Sequence, residues 1–424
     1  MSNPRESLRG LNVLQKASKT RARAVVITAI ILLGLTGSAQ CKPPHSVASG
    51  SAELLTVGPG DHLYNAFGHS AILIRRPNQA GGTETEVFNF GVTDFDRPSL
   101  LADFLEGKVT FWSERRQLPS ELKNWRTQNR EVLSHPIDLT ETQFSALTNA
   151  LDVAVHPKSR AYGYDTYREN CSTKVRDNLD KALGGLIYGK LASVPTGRTF
   201  RDDVASLLAQ RPGLVLLITL LGGPSMDRPR SEWELCYLPK MLLESLQTVT
   251  SAHGRPLLGP TQILNTRTGD HASSPSLVSM LVFVCIAVFM FIATLLLRRL
   301  TTHVRFLLAC SAAGISSLLG MAAAWGHLAS DWVDIQGNWM LLVALPLDGI
   351  MIWPLVHHLR NHSALPRWLV PYLGFRVLTA ITLVILSPMD PFAGPVWPRI
   401  TVLISLIFML RTVRFESELM KQTA

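Results

Sequence analysis

The sequence predicts an α+β domain outside the cytoplasm, followed by an all-α domain of five transmembrane helices. The first observation is uneven hydrophobicity, since residues 41–270 have an ordinary globular composition and residues 276–412 are mostly apolar. The second is the distribution of charge, because the basic residues behind the formal net charge of +9 concentrate beside apolar stretches. This distribution is typical of cytoplasmic membrane flanks and argues against a nucleic-acid partner.

Residues 1–40 are predicted to export the domain that follows them. Six Lys or Arg residues precede the apolar run 24–35, which is short for a spanning helix and suits a signal sequence. Gly37, Ser38 and Ala39 offer a small-residue cleavage site. A cleaved signal sequence and an uncleaved N-terminal membrane anchor both fit this pattern.

Residues 41–250 are predicted to form the α+β domain. The hydrophobic patterns predict strands at 54–57, 70–74, 86–90, 108–114 and 132–136. They predict helices at 62–67, 100–106, 119–128, 140–155, 174–183, 200–221 and 233–247, the last interrupted at Pro239. Asp61 is expected to cap the first helix, and Thr140 with Gln143 should form a capping box. The Gly-, Pro-, Ser- and Thr-rich residues 251–275 are predicted to be a linker.

Residues 276–424 are predicted to form the transmembrane domain. The five apolar spans are 277–297, 306–326, 338–356, 368–387 and 392–410, the last weakened by two prolines and an arginine. Their connecting loops are alternately basic and free of Lys or Arg, which directs residues 41–270 to the outer side. Asp348 and Arg376 fall near the middle of neighbouring spans, where a charge costs about 3 kcal/mol, so we expect them to pair. The sequence leaves open whether this pair is a structural ion pair or has a role in lipid passage.

Cys171 is the candidate nucleophile among the five cysteines. It lies at the mouth of the predicted helix 174–183, where the helix dipole favours the thiolate, and His69 stands at the start of a predicted strand as its candidate base. The alternative is a buried structural cysteine and a hydrogen-bonded core histidine. The sequence leaves open whether Cys41 and Cys236 form a disulfide. A zinc site of His62, His69 and Cys171 would lack a fourth ligand at recognisable spacing, so we expect neither metal nor cofactor.

Several short motifs follow one another in the order of a known family. They are Gly58-Pro59-Gly60-Asp61, Phe67-Gly68-His69-Ser70, Asn89-Phe90-Gly91, Asp94-Phe95, Phe104-Leu105-Glu106-Gly107-Lys108, and Tyr164-Asp165 followed by Asn170-Cys171-Ser172-Thr173. Through them the sequence resembles the Lnb family of bacterial membrane proteins. The resemblance implies a permuted papain-like (NlpC-like) periplasmic domain followed by transmembrane helices in the inner membrane. It also implies a lipoprotein N-acyltransferase, with a phospholipid as acyl donor and a lipoprotein amine as acceptor.

The chemistry implied by the resemblance assigns a role to each candidate residue. Cys171 would attack the acyl ester and form a thioester, and His69 would take up and return the proton. Asn89 is the first choice for the residue that orients His69, because its strand is expected to pair with that of His69, and Asp94 is the second. A strand-end role in satisfying backbone groups is the alternative for Asn89. The residues expected to shape the substrate pocket, each with a loop-structural alternative, are Asp61, Tyr64, Tyr164, Asp165 and Asn170.

Two other functions stay open at the level of the sequence. A thiol hydrolase acting on phospholipid or on peptidoglycan amide bonds would use the same cysteine and histidine. A non-catalytic membrane scaffold would bind a lipoprotein or cell-wall partner and would need neither residue as a reagent.

Overall fold

The structure is a computed structural model that describes residues 50–78, 81–269, 278–389 and 395–423. The predicted export segment 1–40 and Cys41 lie outside the described residues. The described chain is a mixed α/β part with an antiparallel sheet, followed by a helical region.

The α/β part is built on a seven-stranded sheet in which every neighbouring pair is antiparallel. The strand order across the sheet is β6-β4-β3-β2-β1-β5-β7. The strands are β1 Ser51–Val57, β2 His69–Pro77, β3 Thr83–Val92, β4 Thr110–Gln117, β5 Val132–Pro136, β6 Ala161–Gly163 and β7 Gln262–Asn265.

Helices cover both faces of this sheet. They are α1 Leu100–Glu106, α2 Leu118–Thr127, α3 Glu141–Ala154, α4 Cys171–Ala182, α5 Leu186–Leu191, α6 Phe200–Leu207, α7 Pro212–Leu221, α8 Glu232–Leu235 and α9 Pro239–Gln247. Because successive strand side chains point to opposite faces, Leu54 joins one core with Leu147 of α3 and Val175 of α4. The next residue, Leu55, joins a second core with Trp125 of α2. The sheet is therefore buried on both sides at its centre.

Most predicted elements of the α/β part are present, and three predictions are wrong in detail. The segment 62–67 is a short 3₁₀ helix, Leu63–Asn65, and Asp61 pairs with Arg267 while His62 occupies the N-cap position. The predicted helix 200–221 is two helices, because Pro212 has no N–H to continue α6 and begins α7 instead.

The third correction concerns the segment 251–275. Residues Gln262–Asn265 of this predicted linker form β7, which pairs with β5 at the edge of the sheet. The sequence also provided no prediction for β6 or α5, both of which are short. Strands of three or four residues carry too few alternations to be recognised from periodicity.

The helical region contains three apolar helices that are long enough to be candidate membrane spans among the described residues. They are Thr302–Leu328, Met340–Asn361 and Leu369–Met389. The second is broken, since Met340–Val343 and Ile352–Asn361 are α-helical but Pro346–Met351 is a 3₁₀ helix. The predicted first and fifth spans correspond to the helices Val278–Leu295 and Trp397–Thr423. A total of five spans stays a prediction.

The two charged residues expected near the middle of neighbouring spans, Asp348 and Arg376, contact each other. Nε and an Nη of Arg376 each lie 2.9 Å from a carboxylate oxygen of Asp348, and both side chains are fully buried. Ser316 and Tyr372 donate hydrogen bonds to the same carboxylate, at 2.5 Å and 2.7 Å. The break at Pro346–Met351 places Asp348 where four donor groups converge. The expected pair is present.

Candidate functional site

Cys171 is the first residue of α4, and Asn170 fixes that start. The Asn170 side chain accepts a hydrogen bond from the Thr173 backbone N–H at 2.9 Å, and the Thr173 hydroxyl oxygen accepts from the Asn170 N–H at 2.8 Å. This capping box leaves the backbone N–H groups of Cys171 and Ser172 at the open, positive end of the helix dipole. The Asn170 amide also donates to the Tyr237 carbonyl at 2.9 Å, which ties the cap to the following part of the domain.

His69 is the first residue of β2 and follows a glycine that the turn requires. Gly68 has a φ of +84°, and a Cβ atom there would lie 2.8 Å from the Val57 carbonyl oxygen. In β3 the register shifts between Asn89 and Val92, and Gly91 lies within this irregularity with a φ of +82°. A Cβ atom on Gly91 would be 3.6 Å from that of Cys171, so the two elements approach closely at this end of the sheet.

Asn89 lies on β3, which pairs with β2 as expected. The register places Asn89 opposite Ala71, two residues from His69, so that Asn89 and His69 project on the same side of the sheet. Asn89 Oδ1 and His69 Nε2 are 3.0 Å apart, and since the amide oxygen only accepts, the ring nitrogen donates. The other ring nitrogen, Nδ1, is then left to exchange a proton with Cys171.

The thiol and the imidazole perturb each other strongly. Burial opposes ionisation of Cys171, but the charge and hydrogen bond of His69 outweigh it and lower the pKa of the thiol to about 7. Burial likewise disfavours the charged imidazole, yet the charge and hydrogen bond of Cys171 raise the pKa of His69. These opposite shifts are those of a thiolate–imidazolium pair, the reactive form of a nucleophilic cysteine.

Three residues to which the sequence analysis gave no role act on this pair. The Ser70 backbone N–H and the Ser172 hydroxyl group lower the pKa of Cys171 further. The two serine hydroxyl groups lie 2.9 Å apart and are fully buried, which joins β2 to α4. Arg130 is also buried; it interacts electrostatically with Cys171, and its positive charge lowers the pKa of His69 and so opposes the imidazolium. The serines flank the two candidate residues directly, and this adjacency is the signal that could have found them.

The expected pocket residues divide into two groups. Asp61 and Tyr64 lie between β1 and β2, where Asp61 pairs with Arg267 at 2.7 Å and the Tyr64 ring lies 4.5 Å from that of Phe95. Tyr164, Asp165 and Asn170 lie in the loop before Cys171. The phenol of Tyr164 is buried against Phe111, with ring centroids 4.2 Å apart, and this burial raises its pKa.

Asp165 has a local structural task in the same loop. Its Oδ1 accepts hydrogen bonds from the backbone N–H groups of Tyr167 and Arg168, at 2.8 Å and 2.9 Å. Two of the expected pocket residues, Asp165 and Asn170, therefore hold the loop that presents Cys171.

Among the described residues, no group of three His, Cys, Asp or Glu side chains is arranged to hold a metal ion. His62 stacks on Tyr64 instead.

The loop before Cys171 is also bound to the helical region. Arg168 makes a bidentate ion pair with Asp334, with N–O distances of 2.6 Å and 3.1 Å, and Asp334 is buried. Ser225 donates to the same carboxylate at 2.7 Å. Asp334 lies between two of the candidate spans, so this contact connects the loop before Cys171 to the helical region within three residues of Cys171.

Residues 45–208 match the family model described as the Lnb N-terminal periplasmic domain. The matched segment contains Cys171, His69 and Asn89 and ends just after α6, so α7 and everything that follows it lie outside. No curated protein and no solved structure matches the chain.

Proposed function

We propose that this chain, which belongs to the Lnb family through its N-terminal periplasmic domain, is a membrane-bound thiol acyltransferase. It moves an acyl chain from a phospholipid, through a thioester on Cys171, to the N-terminal amine of a lipoprotein. The observation that carries the proposal is the meeting of Cys171, His69 and Asn89 at one end of the sheet, in a chain with apolar candidate spans. The domain would face the periplasm, and the spans would cross the bacterial inner membrane.

The proposed domain architecture is a permuted papain-like fold. Its support is the order of the elements, because the strand that begins with His69 precedes the helix that begins with Cys171. The antiparallel sheet with the cysteine helix packed on one face is compatible with that architecture. The helical region would hold this domain beside lipid-borne substrates, with five spans in all.

In the first half-reaction, the Cys171 thiolate attacks the carbonyl carbon of the phospholipid acyl ester and forms the C–S bond. The oxyanion accepts hydrogen bonds from backbone N–H groups at the start of α4. The intermediate collapses with cleavage of the ester C–O bond, and the His69 imidazolium protonates the departing lysophospholipid alkoxide. Asn89 keeps the ring oriented throughout by accepting from Nε2.

In the second half-reaction, the lipoprotein amine attacks the thioester. His69, now neutral, takes the proton that the attacking amine loses, and the amide C–N bond forms. The C–S bond breaks, and the pair returns to thiolate and imidazolium. Water attacking the same thioester would release fatty acid, so transfer requires that the amine reach the thioester first.

The test uses the full chain in phospholipid vesicles with a diacylated lipopeptide. We expect N-acylated lipopeptide by mass spectrometry and, when the lipopeptide is left out, an acyl group trapped on Cys171. Cys171→Ser should abolish both products, and full activity of this variant would exclude the proposed nucleophile. Fatty acid released without lipopeptide acylation would indicate the hydrolase, and neither product nor acyl-enzyme would indicate the scaffold.

A further inference from the structure

The short helix α1 presents its apolar side chains to the outside of the molecule. Leu101, Phe104 and Leu105 are spaced i, i+3 and i+4 and therefore share one face. They are 69%, 40% and 46% exposed, and no residue of α1 is buried. We call these three side chains the α1 ridge. A contiguous apolar ridge on the surface requires a partner, because the fold itself does not cover it.

The position of α1 is fixed by the residues that directly follow a candidate span. The Ser330 hydroxyl donates to the Leu105 carbonyl, and the Asp331 N–H donates to the Glu106 carbonyl, each at 2.8 Å. The Trp332 indole N–H donates to the Phe104 carbonyl, and the two rings lie 5.3 Å apart. The span Thr302–Leu328 ends immediately before these residues, so α1 lies at the level of its end.

This close approach depends on Gly107, the residue that ends α1. It has a φ of +74°, and a Cβ atom on it would lie 2.9 Å from the Trp332 backbone nitrogen. Leu328 is 83% exposed at the end of the span, and Val333 is exposed just after Trp332. Exposed apolar side chains therefore lie on both sides of Trp332 in the chain, and its ring contacts Phe104 of the ridge. A tryptophan in such a position is typical of the membrane–water interface.

We propose that the α1 ridge is inserted into the outer leaflet of the membrane that the candidate spans cross. The occupant of this surface is lipid, because α1 is attached to a span end and a span end lies at the bilayer surface. Phe95, in the loop before α1, is also exposed, and its ring lies 4.5 Å from that of the exposed Tyr64, one of the expected pocket residues. A ridge held in the leaflet would bring donor phospholipid to the side of the domain that carries these two rings. The inference rests on the membrane placement in the proposed function and not on acyl transfer.

The test places the photo-reactive residue p-benzoylphenylalanine at Leu101 in the full chain, reconstituted in phospholipid vesicles and irradiated. The matched control carries the same residue at Val153, which is 64% exposed on α3. Val153 lies near the end of β2 opposite His69. Its neighbour Asp152 contacts Arg76, and Arg76 is roughly 23 Å from His69 along β2. We expect phospholipid adducts at position 101, at least tenfold above those at 153. Adducts to another protein at position 101, or lipid adducts no more frequent than at 153, would overturn the proposal.

A functional measurement accompanies the crosslink. The double variant Leu101→Glu with Leu105→Glu should lower acyl transfer from vesicle phospholipid at least tenfold and leave alkylation of Cys171 unchanged, with Val153→Glu as its control. Transfer at the wild-type rate would show that donor lipid does not use the ridge. Lipid adducts at Leu101 in a chain that transfers no acyl group would refute the proposed function alone.

Discussion

Replacing Asn89 with alanine should show whether Asn89 orients His69 or only satisfies backbone groups at the strand end. Asn89 is 5% exposed, and its Oδ1 accepts from His69 Nε2 at 3.0 Å. A hydrogen bond to a charged group contributes about 1.5–3 kcal/mol, which corresponds to a loss in kcat/KM of roughly 10- to 150-fold. The same loss removes one interaction that raises the pKa of His69, so the thiolate–imidazolium pair should weaken as well.

Two assays on purified Asn89→Ala protein measure these effects. Lipopeptide acylation gives kcat/KM, and the rate of Cys171 alkylation against pH gives the thiol titration, which should move to higher pH. Asp94→Ala is the matched control, because Asp94 is exposed and its carboxylate accepts only a local hydrogen bond from the Asp96 N–H among the contacts described for it. Wild-type transfer by Asn89→Ala, or an equal loss in Asp94→Ala, would refute this account of Asn89.

Three further outcomes follow from the structure. The rate of Cys171 alkylation should rise with pH through a midpoint near 7, since the thiolate form increases as pH passes the lowered pKa; a midpoint at 8.5 or above would contradict the pairing. Asp348→Ala should lower stability by about 3–5 kcal/mol in detergent thermal unfolding, because it leaves Arg376 buried and uncompensated. Asp348→Asn should lower the stability by less than Asp348→Ala does. Equal unfolding temperatures of the wild type and Asp348→Ala would argue that the pair does not stabilise the fold. Asp334→Ala should reduce transfer between lipid-borne substrates more than Cys171 alkylation, because it releases Arg168; equal losses would indicate general unfolding.

The helices that begin at Glu141 and near Cys171 were predictable because their capping and apolar-period signals lie within a few residues. Thr140 and Gln143 form the expected capping box, since both members lie within one helical turn. The helix that follows Cys171 was predicted over 174–183 from its apolar period, and α4 begins three residues earlier, at Cys171. This earlier start has a local cause, since Asn170 provides the cap and Thr173 the reciprocal bond.

The supporting contacts were not predictable because their partners are far apart in sequence. Ser70 and Ser172 are 102 residues apart, and Arg168 and Asp334 are 166 apart. No periodicity or spacing relates such positions, and the register of β2 on β3 alone decides that Asn89 reaches His69. The edge strand β7 was read as linker for a related reason, since its four residues acquire strand structure by pairing with β5.

The sequence by itself determined that this chain has an α/β part and an apolar helical part, and that a helix follows Cys171. Hydrophobic periodicity and capping depend on neighbours within a few residues, so they can be read directly. Only the tertiary structure decided that sulfur, imidazole and amide meet, that Asp334 holds the nucleophile loop, and that α1 rests on a span end. Those contacts arise from strand register and helix packing, which depend on the whole chain at once.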